Sequence, residues 1–435
     1  MADPDLLIIG AGAAGIGAAR EAVSLGLTVR VLEARDRVGG RAQTDAATLG
    51  APFDLGATWL HAAEGNPLVP LAQARGLELF DHDAVRAHRS WVDGHWATPE
   101  DEAEYDAATK AWHQALVLAV DDPSLSLHDA APTGGRWDAT IAYWEGPVIC
   151  GADPRDMDLQ DWRATELHGT NLLPRDGAGH LLGVLAEGLP VTLSAAVDRV
   201  AWGGQRVRAE GSFGAVEAMA CLVTVPTGVL AAGTMAFDPP LPSPTMQAVH
   251  DLPMGLLTKI GLRAAGEDRL DIPAFGGLER RMEEGERAMT WVAWPFGRDH
   301  LMGFAGGPLA WDLAREGREA TLAYAGEELR RYYGIRADRA LRADGALVST
   351  WAEDPFCRGA YSYLLPGRGG ARDALGAPLG DGRLRFAGEA CHPHLAGTLG
   401  GAWFTGVQAA RDVAARIGRG DRAFTGARAS LPPPV

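Results

Sequence analysis

Three sets of residues in this 435-residue chain have types and spacings that could do chemistry. The first is Gly10-Ala-Gly12-Ala-Ala-Gly15, set between an apolar run at residues 5–9 and an Ala-rich stretch closed by Gly26. Gly10 permits a tight turn, Gly12 lets the backbone approach a diphosphate, and Gly15 lets a helix pack close to the strand. The first N–H groups of that helix would face the phosphates. Glu33 ends the next apolar run, where a carboxylate can hold both hydroxyls of an adenosine ribose, and this argues against a 2′-phosphate. Arg35 and Arg41 bracket Gly39-Gly40, so the chain can pass under a pyrophosphate that the two arginines neutralise. The second set is Lys259 alone, in the middle of the apolar stretch 256–263, where an unpaired ammonium is costly to bury. The alternative for such a lysine is a head that snorkels back to water. The third set is aromatic: Trp59 with His61, and Trp351 with Tyr361, whose faces suit an amine or its cation.

Five segments share the pattern of a known family. They are the Arg37-Val-Gly-Gly-Arg41 turn and Gly56-Ala57-Thr58-Trp59-Leu-His61 followed by Gly65-Asn-Pro67. Then come Thr258-Lys259-Ile-Gly-Leu262, Trp351 to Tyr363, and Phe386-Ala-Gly388-Glu389 followed by Gly397-Thr398-Leu399-Gly-Gly-Ala402. Together they resemble the flavin-containing amine oxidases. Within that family they look most like polyamine oxidases and their spermine oxidase and histone-demethylase relatives. The resemblance implies FAD held by Gly10, Gly12, Gly15, Glu33, Arg35, Gly40, Arg41, Gly56, Ala57, Thr58, Val197, Trp351, Gly388, Glu389, Thr398 and Leu399. It implies hydride transfer from the carbon beside a neutral amine to flavin N5, imine hydrolysis, and reoxidation by O2 to hydrogen peroxide.

The resemblance places Lys259, Tyr361 and His61 at the reaction centre, with Lys259 reaching flavin N5 through a water. Trp59, His61, Glu64, Tyr361 and Thr398 would contact substrate. Some relatives bond FAD through a cysteine just before the tyrosine. Ala360 stands there in this chain and Cys357 is offset by three, which implies non-covalent FAD. Thr398 replaces a second wall tyrosine of the monoamine enzymes, which favours a long substrate such as a polyamine. Asp161 and Glu166 are acidic candidates without a motif. Other amines, an amino acid or a biosynthetic intermediate stay open as substrates, as does a desaturase-like flavoprotein. That last class would not be expected to carry Lys259 and the 351–363 segment together.

These residues need elements to position them. The pattern predicts strands at 5–9, 27–32, 191–200, 205–209, 220–225, 256–263 and 384–388. Helices are predicted at 13–25, 68–75, 100–118, 180–188, 324–333 and 400–417, with a rigid connector at 239–244. The family fold would be α/β: a discontinuous Rossmann-like FAD domain interleaved with a substrate domain of mixed sheet flanked by helices. The first would take residues 1–78, 189–255 and 345–422, the second 79–188 and 256–344, and 423–435 would be a flexible tail.

Composition narrows the partners. Apolar residues make up 47 % and charged residues 22 %, which is enough apolar surface for a sizeable core. The formal charge of −16 argues against nucleic acid and anionic membrane, and suits a cationic small molecule. Four dispersed cysteines are no disulfide framework, and the acidic start with its short apolar run is no signal peptide, so a cytoplasmic setting is expected. His392-Pro-His394 has HxH spacing without a third ligand, so no metal is expected.

Overall fold

The computed structural model describes residues 3–85 and 87–418. The expected tail at 423–435, with residues 419–422, lies outside them. The strand Leu6–Ile9, fully buried, is the centre of a five-stranded parallel sheet. Its neighbours are Ala220–Val223 on one side and Val29–Leu32 on the other, with Leu6 opposite both Ala220 and Val29. Leu384–Phe386 and Val191–Thr192 form the edges. An unbroken apolar run such as 6–9 suits a strand covered on both faces.

One covering layer is a pair of helices, Ala13–Ser24 and Leu399–Arg416. They pack through small residues. A Cβ at Gly406 would sit 2.0 Å from the Ala14 carbonyl oxygen, and one at Gly15 would sit 1.9 Å from that of Gly10. Helix Ala178–Ala186 joins this side through a cluster with Ile16, Leu60, Leu68 and Trp403.

A second, seven-stranded sheet runs Leu341–Val348, Leu257–Ala264, His300–Gly306, Thr290–Ala293, Gly276–Arg280, Ala87–Val92, His95–Trp96. It is antiparallel except where Gly276–Arg280 lies parallel to Ala87–Val92. Helices Gly307–Glu316 and Arg318–Tyr333 pack on it through Leu309, Leu313, Ala325 and Leu329. The expected boundary at 345 falls inside the strand Leu341–Val348, which pairs with Leu257–Ala264.

Two expectations change in detail. The run 191–200 is two strands in different sheets. Ser194, at φ 52°, turns the chain between Val191–Thr192 and Val197–Ala201, and its N–H bonds the Arg35 carbonyl at 2.8 Å. The connector at 239–244 runs directly into the helix Ser243–Asp251, with Pro244 in its first turn where the missing N–H costs nothing.

The crossing of the first and last helices makes Gly406 a demanding position. Gly406→Ala should destabilise the protein by about 1–3 kcal/mol, because the helices must separate to admit one methyl group. Thermal or urea unfolding measures this, and a variant as stable as the parent would show that the crossing tolerates the shift.

Candidate active site

A single cavity of about 800 Å³ runs from the glycine loops to the seven-stranded sheet. At one end lie Gly10, Gly12, Gly40, Glu33 and Arg41. Gly10 has φ 104°, and a Cβ there would meet the Thr224 hydroxyl at 2.5 Å. Gly12 and Gly40 approach so closely that a Cβ on Gly40 would be 3.2 Å from the Gly12 Cα, leaving a bare backbone cradle. Gly15 is not on the wall; it closes the helix onto Gly10. Glu33 accepts the N–H of Ala11 at 2.7 Å and of Arg35 at 2.9 Å, which fixes its carboxylate at the cavity edge. Ala57, Val197, Gly388 and Leu399 also line the cavity.

The two arginines have separate roles. Arg35 pairs with Asp354 at 2.7 Å and lies over the Phe356 ring, so it is anchored at the rim. Arg41 donates to Glu389 Oε1 and to the Ala360 carbonyl, both at 2.8 Å. Glu389 is fully engaged by protein. It accepts from Arg41 and the Ser362 N–H on one oxygen, and from the Ser362 hydroxyl and the Gly397 N–H on the other. Burial alone would raise its carboxyl, but Arg41, Arg372 and Ser362 hold it below the ordinary range. Its part is therefore to set Arg41 and the turn at Gly397. Thr398 is similarly occupied: its hydroxyl donates to the Leu395 carbonyl and accepts the Gly401 N–H, capping the closing helix. That helix N-terminus opens on the cavity, where its dipole favours negative charge.

These features fit a dinucleotide with a diphosphate: a side-chain-free cradle, a helix N-terminus behind it, and a fixed carboxylate at the end of the neighbouring strand.

Further in, Lys259 is 4 % exposed. Its Nζ donates to the Gly56 carbonyl at 2.5 Å and to the Thr58 hydroxyl, and it sits 5.5 Å from the ring centres of Trp59 and Phe304. Burial lowers its ionisation from 10.5 to about 8, with Asp54 pulling the other way. The lysine is not a snorkelling one. Trp351 lies on the same wall, its indole N–H on the Leu55 carbonyl at 2.8 Å.

Tyr361 lines the cavity, its hydroxyl donating to the Ile149 carbonyl at 2.9 Å; burial pushes the phenol up, so it stays neutral. Ile149 follows a π-helical turn, Trp144–Val148. Trp59 donates to His82 at 3.2 Å and packs beside His61. His61 Nδ1 is 2.6 Å from the Asn171 side-chain oxygen, and the Asn171 amide donates to Asp83. That polarity puts the proton on Nδ1 and leaves Nε2 as an acceptor. Burial lowers the His61 ionisation, opposed by Asn171 and Asp83, so the ring is neutral at pH 7.

Glu64 is a correction. It is exposed, lies off the cavity wall, and accepts from the N–H and hydroxyl of Thr170. Its place in the pattern beside His61 put it in sequence reach, but the chain turns outward after Ala62, at φ 49°. The carboxylates that do line the cavity include Asp161, forked onto buried Arg372 at 2.7 Å, and Glu166, paired with Arg163. Glu145, held by His113 at 3.0 Å, and Glu279, which accepts from Ser90 at 2.9 Å, were not anticipated. Neither were Asn171, Phe304 or Arg372, which carry no local motif. Among the described residues no group of three or more His, Cys, Asp or Glu is placed to hold a metal ion.

Comparison with known proteins decides the family. The profile of flavin-containing amine oxidoreductases matches residues 13–123 and 152–414. The chain belongs to this family. It is 31 % identical to polyamine oxidase 2 of Arabidopsis thaliana, covering 95 % of this chain and 89 % of that one. It is 29 % identical to lysine-specific histone demethylase 1 homolog 3 of the same plant, where it spans 93 % of this chain but only 29 % of the much longer relative. The fold matches that of a putrescine oxidase bound to putrescine, with a TM-score of 0.80 at 21 % identity over 95 % of this chain and 99 % of that chain. A flavin and an amine are thus the cofactor and substrate that the family implies for this amine oxidoreductase.

The lysine gives a pH signature of its own. Between about pH 8 and 10.5 the unfolded chain binds a proton at Lys259 that the folded chain has lost, so stability should rise with pH across that window. The buried ammonium costs about 3 kcal/mol below pH 8. Lys259→Met should lose this rise relative to the parent. Unfolding free energies at pH 7 and pH 10 measure the difference, and parallel profiles for both proteins would exclude a buried, low-titrating lysine.

Proposed function

We propose that the protein is an FAD-dependent oxidase of a polyamine or related secondary amine, with FAD bound non-covalently and O2 as acceptor, working in the cytoplasm. The observation that carries this reading is Lys259. It is buried on two oxygen acceptors beside Trp59 and Phe304, in the same cavity as Tyr361 and the diphosphate cradle. When bound, a flavin supplies the two-electron acceptor for the carbon–hydrogen bond beside an amine nitrogen.

The protein's residues do the rest. The cradle at Gly10, Gly12 and Gly40 and the N-terminus of helix Ala13–Ser24 receive the diphosphate end, and Glu33 the ribose. Trp59, Phe304 and Tyr361 form walls that hold an amine and exclude water. His61 Nε2 can accept a proton from an incoming ammonium, since only a neutral amine gives up its α-hydride. Lys259 Nζ can hold or release a proton near pH 8, and can order a water in front of it.

Non-covalent attachment is supported by Ala360 before Tyr361. Cys357 is fully buried off the cavity wall, and Cys150, the one cysteine among the described lining residues, has its thiol pushed up by burial. A long, multiply charged substrate is supported by the carboxylates beyond the aromatic walls, Glu145 foremost, which can meet a second ammonium. The names of the relatives point the same way.

Purified protein should be yellow, release FAD intact on denaturation, and make peroxide from spermine, spermidine or an acetylated form faster than from benzylamine. Well-folded protein without flavin would overturn the reading; a preference for benzylamine would overturn the substrate class. Glu145→Gln should raise KM for a polyamine by roughly tenfold while leaving that for a monoamine unchanged, as expected for a charge-assisted contact of about 1.4 kcal/mol. Steady-state kinetics on both substrates would read the contrast, and an equal change for both would remove Glu145 from recognition.

A further inference from the structure

Two residues before Gly56, and off the cavity wall, lies a carboxyl group that the site description leaves unused. Asp54 is 5 % exposed and is absent from the cavity wall. Both its oxygens accept the Ala178 N–H, at 3.1 Å, at the start of helix Ala178–Ala186. One also accepts the Thr44 hydroxyl at 2.5 Å. The Thr44 oxygen also accepts the Gly179 N–H at 3.0 Å, which ties the carboxyl to the first turn of that helix. The Ala178 N–H can only donate, and a backbone donor shared by both oxygens at a helix start favours the ionised form. Two residues along the chain, the Gly56 carbonyl holds the Lys259 ammonium. Leu49 and Phe53 pack against the Lys259 strand at Gly261, which keeps this segment on it.

We propose that Asp54 is the buried counter-ion of Lys259, a positioning residue that keeps the ammonium charged and seated on Gly56 and Thr58. The pairing is electrostatic rather than a direct salt bridge, so the lysine head stays free to turn its remaining proton toward the cavity. The charged and titratable groups that face the pair are few. His61 and Asp54 act on or are acted on by Lys259, and Arg298, whose guanidinium holds the Pro52 carbonyl at 2.9 Å, faces Asp54. Burial holds the Asp54 carboxyl above its ordinary range, and Lys259, Thr44 and Ala178 offset part of that rise. The proposal rests on the reading of Lys259 as an active-site group, but its test does not need turnover.

The chain holds only two lysines, Lys110 and Lys259, and Lys110 is exposed on the helix Pro99–Ala119. Holoenzyme labelled with 13C at lysine Cε should thus give two resonances, assigned by Lys110→Arg and titrated directly. The Lys259 midpoint should lie near 8 in the parent and fall by about one unit or more in Asp54→Asn, with Lys110 unmoved. An unchanged midpoint in folded Asp54→Asn overturns the proposal. So does a parent midpoint below about 6, the range of buried lysines that have no counter-ion, and this arm stands even if the variant does not fold. The pH dependence of turnover should follow the midpoint downward. If the midpoint moves and the turnover profile does not, the counter-ion stands and the catalytic reading of Lys259 fails instead.

Discussion

A single ammonium in an apolar wall constrains much of this molecule. Placing a charge out of water costs several kcal/mol unless its surroundings replace the lost hydration. The surroundings of Lys259 come from three distant segments. Gly56 and Thr58 give oxygen acceptors, Trp59 and Phe304 give ring faces, and Ser349 holds both the N–H and the carbonyl of Lys259. Gly56 can do this only as glycine, since a Cβ would lie 1.7 Å from the Arg41 carbonyl. The lysine therefore ties the loop after the nucleotide-binding βαβ unit to the seven-stranded sheet. The cavity between them is a consequence of that tie.

Around it, the polar groups are arranged so that few are left to choose their own orientation. Glu389 uses four donors to set Arg41, Ser362 and Gly397 together. Asp83 orients Asn171, and Asn171 orients His61. Arg372, buried beside this network, is held by the Asp161 fork, the Ser362 hydroxyl and the Ala390 carbonyl. Such fully satisfied networks are rigid, and a rigid site holds reacting atoms in line.

The nucleotide end was legible because its signal is local. Strand, glycines, helix and Glu33 fall within 33 residues, and Gly10 and Gly15 have steric reasons that the structure repeats. Lys259 was legible because a lone cation in an apolar strand is anomalous wherever the strand sits. The partners of these groups were not legible. Asn171 meets His61 across 110 positions and Asp161 meets Arg372 across 211, and nothing in either neighbourhood marks the pairing. Glu64 shows the opposite error. It lies three residues from His61 in sequence, yet a positive φ at Ala62 sends it to the surface. Helix Gly307–Glu316 was missed because Gly306 caps it and Gly307-Pro308 open it, residues that read as a break, although proline fits a helix start.

The central strand of the nucleotide-binding sheet is laid down first by the ribosome, yet its neighbours on one side are residues 220–223 and, beyond them, 384–386. Its covering helix is residues 399–416, and the donors around Glu389 come from residues 41, 362 and 397. The cradle therefore cannot assemble as an independent N-terminal unit during synthesis. The earliest residues must wait, with apolar strand faces uncovered, until almost all of the chain has emerged. Loop closure over such separations is slow and leaves a collapsed, incomplete chain prone to association.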